Sequence, residues 1–485
     1  MKKRICFILL LCMALCLGGC VYPAITDAPG ALSSYSGTAD TEEAGNDTAD
    51  IEVAGNDTAD IETAGNDSAG TGTAGNDTQD AEASLENTPL TADTPEDLPS
   101  LKDCVASADG LGEDAVFGTC LSSAGIHDDL LMGLIEKHFN AVTLENELKP
   151  DAMFGYNNDM PPAGSIHEEE LNGKIVSIPA LDHSRADAIL DVIAKWNTDN
   201  PESPIRVRGH VLVWHSQTPE WFFHEDYDKN NDYVSKEEMD LRLEWYIKSM
   251  LEYYTGENSR YKGLFYGWDV VNEAVSDKGG SYRTDTEAGN DSLSDSTHSS
   301  KSSWWKVYGS NEYIINAFKY ANLYAPEDLD LYYNDYNECD AFKKNGIIDL
   351  IGSVKAADGA RIDGFGMQGH YLVNNPPKDR ISKAAADYAS VVDKIMITEL
   401  DVKSSVFFNG TEEALSEEFE RQKDYYSEIY DVMKELKSEG LNISGIVFWG
   451  AVDTYSWLHE QGENPLLFDK DYKAKPAFYA FTGGK

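Results

Sequence analysis

WDVVNEA, residues 268–274, decides the fold, because in it a mostly apolar run ends abruptly in an asparagine and a glutamate. Apolar runs of this length are typical of strands that are buried in a parallel sheet. A carboxylate at the end of such a strand needs water or polar partners. Glu273 therefore marks the point where a strand leaves the core and reaches a polar surface.

Short apolar runs occur eight times after residue 100, and almost all of them end in polar or aromatic residues. They are AVFGTCL (115–121), FNAVTLEN (139–146), IRVRGHVLVW (205–214), YGWDVVNE (266–273), DLYYNDYN (330–337), DGFGMQGH (363–370), KIMITELDV (394–402) and ISGIVFWG (443–450). Amphipathic segments with helical spacing separate them. These segments are residues 128–138, 184–196, 235–254, 311–324, 342–357, 381–391 and 412–437.

Strands that alternate with helices predict an α/β fold, a closed (β/α)8 TIM barrel over residues 101–485. The helix predicted over 235–254 carries a capping box, Ser235 with Glu238. A doubly wound open sheet is the alternative. No glycine fingerprint follows the first strand to support it.

The N-terminus, residues 1–20, has the pattern of an export signal. MKKR is positively charged, residues 5–17 are apolar, and LGGC (17–20) resembles a bacterial lipobox. In that interpretation Cys20 is the lipid attachment site, which holds the protein on the outer face of the bacterial cell membrane without a spanning helix. Ordinary signal cleavage nearby, which would release a secreted protein, is the alternative.

Residues 21–100 contain a ten-residue repeat. Its copies are AGNDTADIEV, AGNDTADIET, AGNDSAGTGT and AGNDTQDAEA, beginning at Ala44, Ala54, Ala64 and Ala74. Such a segment, almost without aromatic residues, cannot bury enough surface to offset its ordering entropy. We expect a disordered, acidic, low-complexity tether before the barrel. A solenoid would need apolar ladder positions that the repeat lacks.

The charge balance limits the partners. The 485 residues carry a formal net charge of -46, which repels nucleic acid and anionic lipid. Hydrophobic residues make up 41% and aromatic residues 11% of the chain, enough for one large core. We expect a neutral partner, no nucleic acid and a monomer.

Three of the seven cysteines lie in the body of the chain, Cys104, Cys120 and Cys339. An odd number without short paired spacing argues against a disulfide framework or a zinc site. A Cys104–Cys120 bridge is the alternative to buried thiols, which we favour.

DYDKNNDYVSKE, residues 226–237, has the spacing of a calcium loop. Oxygen ligands stand at positions 1, 3, 5, 7 and 12, as in an EF-hand, but Asn231 replaces the glycine at position 6 and no helix is predicted before it. The alternative to calcium is a solvated acidic loop that leads into the capped helix. We favour that alternative.

In a parallel barrel the strand ends meet at one rim, where the chemistry lies. Two glutamates there, Glu273 after the fourth strand and Glu399 after the seventh, supply the pair that glycoside cleavage requires, one protonated and one ionised. His370 and Asp401 lie near enough to keep Glu399 ionised, and the anion at Glu399 favours the protonated form of Glu273. The candidate rim residues are Glu145, Asn146, His210, Trp214, Asn272, Glu273, Asn334, Tyr336, Gln368, His370, Glu399, Asp401 and Trp449.

WDVVNEA and ITELDV (397–402) resemble the acid/base and nucleophile signatures of glycoside hydrolase family 10, the endo-β-1,4-xylanases. Further blocks follow in the family's order, so the resemblance extends over most of residues 101–485. These blocks are FNAVTLENELKP, VRGHVLVWHSQTPEW, YYNDYN, GFGMQGH and FWGAVDTYSW.

The resemblance implies a retaining double displacement on xylan, with Glu273 as acid/base and Glu399 as nucleophile. His370 and Asp401 would position Glu399, and no metal or other cofactor is needed. Substrate contacts are implied at Asn272, His210 and Gln368 for the sugar at the cleavage point, Glu145, Asn146 and Lys149 for the next sugar on the non-reducing side, Trp214, Trp449 and Trp457 as aromatic walls, Asn334 and Tyr336 on the leaving-group side, and Gln217.

Two insertions, at residues 156–181 and 282–304, interrupt the family pattern. We expect both on the catalytic face, the first as an enlarged loop after strand two and the second disordered. Two other functions remain open, a β-1,4-glucanase of similar fold and a surface polysaccharide-binding lipoprotein without catalysis. The presence of both glutamates opposes the second of these.

Overall fold

A computed structural model describes residues 97–289, 293–294, 297–406 and 408–483. The predicted signal (1–20), the lipid site Cys20 and the repeats of the tether lie outside the described residues. Leu98 is already buried, and the Ser100 hydroxyl caps the first helix by accepting from the N–H of Asp103.

Eight parallel strands close into a barrel. β1 pairs with both β2 and β8, and every other strand pairs with its neighbours in chain order. This closure confirms the (β/α)8 prediction and rejects the open sheet. The strands are β1 (Val116–Leu121), β2 (Ala141–Leu144), β3 (Arg206–Gly209), β4 (Phe265–Asn272), β5 (Asp330–Asp335), β6 (Gly364–Met367), β7 (Lys394–Lys403) and β8 (Ile443–Phe448).

Helices surround the barrel, and all seven that the sequence predicts are present within a few residues of their expected ends. Among the described residues the α-helices are α1 (Leu101–Ala106), α2 (Asp129–His138), α3 (Pro150–Met153), α4 (Ser184–Asp199), α5 (Lys236–Thr255), α6 (Ser303–Tyr308), α7 (Glu312–Tyr324), α8 (Ala341–Lys355), α9 (Lys378–Ala389) and α10 (Glu412–Ser438). In this described part of the chain, no helix has the length and apolar character that a membrane crossing requires.

The core has two layers. The larger lies between the strands and the helices. A separate cluster fills the inside of the barrel, and its buried members are Val116, Ala141, Tyr332, Met396 and Val447. A Cβ at Gly364 would lie 2.3 Å from the Tyr332 ring, so β6 needs a glycine there to admit the tyrosine. A packed interior leaves the carboxyl ends of the strands as the open rim.

The first insertion is an ordered antiparallel hairpin, Ile166–Leu171 with Lys174–Pro179. It packs on α5: the Trp245 indole donates to Glu169 at 3.1 Å, and the Asn172 amide donates to Glu244 at 2.7 Å. The expected enlarged loop therefore has its own secondary structure, held by the helix that follows β3.

The described parts of the second insertion are packed as well, which corrects the expectation of disorder for its two ends. Arg283, Ser302 and Trp304 are buried, and Ser302 caps α6. Residues 290–292 and 295–296 lie outside the described residues.

Buried thiols, rather than a disulfide, are the state of the cysteines in the described chain. Cys120 and Cys339 are buried, Cys104 is half-buried, and no bond joins Cys104 to Cys120.

The calcium-like segment is a hydrogen-bonded turn before α5. The Asp228 carboxylate accepts from the main chain of Asn230 at 2.9 Å, and Ser235 caps α5 by accepting from the N–H of Glu238 at 3.2 Å, as predicted. Within the ranges that the structure describes, no three His, Cys, Asp or Glu side chains are placed to share a metal ion. The solvated acidic loop without calcium, favoured for residues 226–237, stays a prediction.

Candidate active site

The two candidate catalytic glutamates are carried by β4 and β7, Glu273 just past the carboxyl end of β4 and Glu399 inside β7. Glu273 directly follows β4 with a φ of 55°, and its N–H donates to the main-chain oxygen of Asn334 at 3.0 Å. A positive φ is uncommon outside glycine and turns the chain sharply at the end of the strand. Glu399 lies within β7, where its N–H donates to the main-chain oxygen of Gln368 at 2.8 Å. Neighbouring strands thus fix both main chains.

Glu399 is 5% exposed, and both of its oxygens have partners. Oε1 accepts from the Asn334 amide at 2.7 Å, and Oε2 lies 3.2 Å from His370 Nε2. His370 Nδ1 lies 2.9 Å from Asp401 Oδ2, which also accepts from the Trp457 indole at 2.8 Å. The histidine is therefore held between two carboxylates.

These contacts set the protonation states on the β7 side. Burial by itself would lower the pKa of His370, but the charge of Asp401 and the hydrogen bonds to Asp401 and Glu399 raise it to about 10. Burial by itself would raise the pKa of Glu399, but the hydrogen bond from His370, the histidine charges and the Asn334 amide lower it to about 2. At neutral pH Glu399 is therefore an anion beside a cation, the state that a carboxylate nucleophile needs.

Glu273 is half-buried and accepts from neutral donors. The Trp214 indole donates to Oε2 at 2.9 Å, while the amides of Asn272 and Gln368 donate to Oε1 at 3.1 and 3.0 Å. A carboxyl oxygen has two lone pairs, and both of those on Oε1 are engaged. Oε2 is consequently the oxygen with room for a proton.

Three amide side chains join the two glutamates. The Asn334 amide that donates to Glu399 also donates to Asn272 Oδ1 at 2.9 Å, and the Gln368 amide donates to the same oxygen at 3.2 Å. Asn334 is fully buried, and its own oxygen accepts from Thr398 at 2.6 Å. The sequence placed Asn334 toward the leaving-group side. The structure buries it beside the glutamates, where its amide donates to Glu399.

His210 is oriented by a buried ion pair. Its Nδ1 lies 2.9 Å from Asp269, which accepts two hydrogen bonds from Arg208, one of them at 3.0 Å from Nε. Burial opposes the charge on Arg208, but Asp269 more than offsets it and raises the pKa of the guanidinium. The guanidinium also lies 4.6 Å from the centre of the Tyr332 ring. This pair fixes the angle of the His210 ring at the rim.

Lys149 lies in the part of the site that the sequence predicts to bind the next sugar on the non-reducing side. Its Nζ donates to Asn146 Oδ1 at 2.9 Å and lies 5.2 and 5.9 Å from the ring centres of Trp214 and Trp449. Burial raises the pKa of Glu145 nearby, against the opposing charge of Lys149. All three predicted residues of this subsite thus lie together beside two aromatic walls.

Tyr336 stands on the opposite side, within a network that includes the second insertion. Its hydroxyl donates to Asp277 at 2.6 Å and accepts from Arg283 at 3.2 Å. Arg283 is 4% exposed and also donates to the main-chain oxygens of Glu273 at 2.9 Å and Ser300 at 3.0 Å. The insertion therefore anchors the turn that carries the catalytic glutamate.

Two further predicted residues lie toward the edge. Trp457 is 47% exposed, and its indole nitrogen donates to Asp401. The exposed part of the indole is therefore accessible to a ligand. The Gln217 amide donates to Asp151 at 3.3 Å and ties the loop after β3 to the loop after β2. Direct sugar contacts of these side chains stay predictions.

Sequence reasoning missed Asp269, Arg208 and Arg283. A signal for the first two was present, since each is a charge inside a strand that otherwise reads as buried, in WDVVNEA and IRVRGH. Charged residues are almost never fully buried unless paired. Arg283 gave no such signal, because it lies at the start of the second insertion, which has no pattern of a buried strand.

Comparisons with known proteins agree with this geometry. The sequence profile described as Glycosyl hydrolase family 10 matches residues 106–483. Endo-1,4-beta-xylanase B of Paenibacillus barcinonensis is 32% identical over 373 residues, 74% of this chain and 94% of that protein. The bifunctional endo-1,4-beta-xylanase XylA of Ruminococcus flavefaciens is 34% identical over 345 residues, which is 71% of this chain but only 30% of that larger protein.

Among solved structures, the Clostridium thermocellum N-terminal endo-1,4-beta-D-xylanase 10B CBM22-1 and GH10 modules complexed with xylohexaose are similar with a TM-score of 0.64. The sequence identity is 31%, covering 79% of this chain and 67% of that one. Fold, paired glutamates and profile all agree, and the chain belongs to glycosyl hydrolase family 10.

Proposed function

We propose that this protein is an endo-1,4-β-xylanase that cleaves internal β-1,4 bonds of xylan with retention of anomeric configuration. The observation that carries the proposal is the unequal pair at the rim, Glu399 beside a histidine cation and Glu273 among neutral donors. Relatives named as endo-1,4-beta-xylanases and a neighbour complexed with xylohexaose support xylan as the substrate.

In the first step, Glu273 donates the proton on Oε2 to the leaving oxygen while Glu399 attacks the anomeric carbon. The bond to the leaving sugar breaks, and an ester between Glu399 and the sugar forms. In the second step, Glu273 takes a proton from water, which attacks the same carbon and releases Glu399. Two inversions restore the starting configuration, and the proton lost in the first step is regained in the second.

His370 and Asn334 keep Glu399 oriented and ionised before each turnover. Asn272 and Gln368 fill Oε1 of Glu273, which leaves Oε2 to carry the proton. Both steps need only carboxyls and water, and the absence of a cofactor stays a prediction.

We further propose that residues 1–20 direct export and that Cys20 carries a lipid. The repeat segment would then tether the barrel at the outer face of the cell membrane. The support is the sequence pattern MKKR, apolar run, LGGC. Mass spectrometry of the mature N-terminus tests it: a diacylglyceryl mass on Cys20 is expected, and an unmodified N-terminus at another residue would contradict it.

The activity is tested with the purified chain on xylan and on carboxymethyl-cellulose, by release of reducing ends. Faster cleavage of xylan is expected, and faster cleavage of the cellulose derivative would favour the glucanase. Proton NMR early in the reaction should show the β-anomer of the new reducing end before mutarotation. An α-anomer formed first would reject the double displacement.

A further inference from the structure

A cavity lies beside the catalytic pair. It has a volume of about 460 Å³, and His370 forms part of its wall. The rest of the wall comes from the loops after β4, β5 and β6, the starts of α8 and α9, and the last residue of β7. Its charged members are Asp277, Asp340, Lys343, Arg380 and Lys403. This volume is in the range of small-molecule sites.

Most of the charges in the wall are already engaged. Lys343 Nζ lies 2.8 Å from Asp277 and 2.9 Å from Asp335. The Asp340 carboxylate accepts two main-chain N–H groups at the start of α8, at 2.9 and 3.1 Å. His370 is shared between its two carboxylates, as described above. These groups balance one another within the protein.

Arg380 and Lys403 differ from them. In the ranges covered by the structure, neither side chain has an ion-pair partner, although the chain has 85 acidic against 39 basic side chains. Lys403 ends β7, the strand that carries Glu399, and its Nζ lies 5.2 Å from the centre of the Trp457 ring. Arg380 is exposed in the first turn of α9. Two uncompensated cations thus face a cavity next to the nucleophile of a very acidic protein.

We propose that this cavity binds a carboxylate-bearing side group of the polysaccharide, a uronic acid branch, through Arg380 and Lys403. Guanidinium and ammonium groups recognise carboxylates by charge-assisted hydrogen bonds. A branch on a sugar held near His370 enters the cavity without leaving the main-chain cleft. This inference rests on the proposed xylanase function and names the decoration that the same site prefers.

The test compares glucuronoxylan with the same polymer after its carboxyl groups are reduced to alcohols. For each protein the ratio of kcat/KM on the charged polymer to that on the reduced polymer is measured. Each of Arg380→Gln and Lys403→Gln should lower this ratio about two- to fivefold, the range of partly exposed ion pairs, and the double variant about tenfold. Because salt screens such contacts, 1 M NaCl should bring the wild-type ratio close to that of the double variant.

Lys378→Gln is the matched control, since it removes a cation from an exposed position on α9 outside the cavity wall. It should leave the ratio unchanged. A ratio that the double variant does not alter, or that the control alters equally, overturns the proposal.

Binding separates this inference from the proposed function. In a Glu399→Gln background, calorimetry should show tighter binding of a glucuronate-substituted xylo-oligosaccharide than of its carboxyl-reduced form, and the double variant should remove the difference. If this binding difference is found but the wild type does not cleave xylan, the xylanase function is wrong and the carboxylate site is supported. If the wild type cleaves xylan but the Glu399→Gln protein binds the two ligands equally, the xylanase function is supported and the carboxylate site is wrong.

Discussion

Glu399 and Glu273 are the same residue type on neighbouring parts of one barrel, joined by the same amide side chains, yet their surroundings differ in charge. Glu399 is almost wholly buried and contacts a histidine that is itself backed by Asp401. Glu273 is half-buried, and its side-chain donors are an indole and two amides, all neutral. Burial disfavours a charge unless a partner offsets it. The charge of the donors, rather than the residue type, therefore distinguishes the two carboxyls, and in the proposed mechanism this difference makes Glu399 the nucleophile and Glu273 the acid/base.

The strongest way to break this comparison is Glu399→Gln. An amide cannot form the ester intermediate, so kcat/KM on xylan should fall more than about 10⁴-fold. Far-UV circular dichroism should be unchanged, because the amide keeps the shape of the side chain. Glu420→Gln, on the exposed face of α10, is the control and should keep full activity. Wild-type turnover in the Glu399 variant would show that the nucleophile is a different residue.

Glu273→Gln should have a smaller effect that depends on the leaving group. Loss of the acid/base should lower kcat/KM on xylan about 10²- to 10⁴-fold. An aryl xylobioside with a good leaving group needs no acid in the first step, but the second step still needs a base. A burst of about one phenolate per protein, followed by slow turnover, is therefore expected in stopped-flow absorbance. The absence of a burst, with equal loss on both substrates, would reverse the two roles.

The contrast also shows what could be predicted from the sequence. Each strand and each glutamate is marked locally, by an apolar run that ends in polar residues, so the barrel and the two glutamates of the candidate site could be located from the pattern. The support of His210 could not, because Arg208 and Asp269 are 61 positions apart and meet only when β3 and β4 pair.

Asn334 shows the same limit. Its place in YYNDYN suggests a residue at the rim, whereas the structure buries it between Glu399 and Thr398. Which side of a strand end faces a ligand depends on the twist and register of its neighbours, and a one-residue difference in register changes the face.

Asp401→Asn should produce the smallest effect. It should change only the surroundings of Glu399 and leave those of Glu273 as they are. Without the Asp401 charge, the pKa of His370 should fall from about 10 toward its ordinary value, by about 1 to 3 pH units. The pH at which the His370 ring loses its proton, followed by NMR of the imidazole signals, should therefore move to lower pH by a similar amount. At low pH the ring should be protonated in both proteins.

Thermal stability should also depend on the protonation of His370. The raised pKa of His370 contributes stability that is fully present below about pH 6.5 and is lost as the pH rises through about 10. The Asp401 variant should therefore lose stability most below about pH 6.5 and approach the wild type in Tm above pH 10. Asp379→Asn, which removes the same charge from an exposed position on α9, should leave both profiles unchanged. If the His370 ring of the Asp401 variant titrated as in the wild type, the histidine would not owe its proton to Asp401, and the difference between the two glutamates would need another cause.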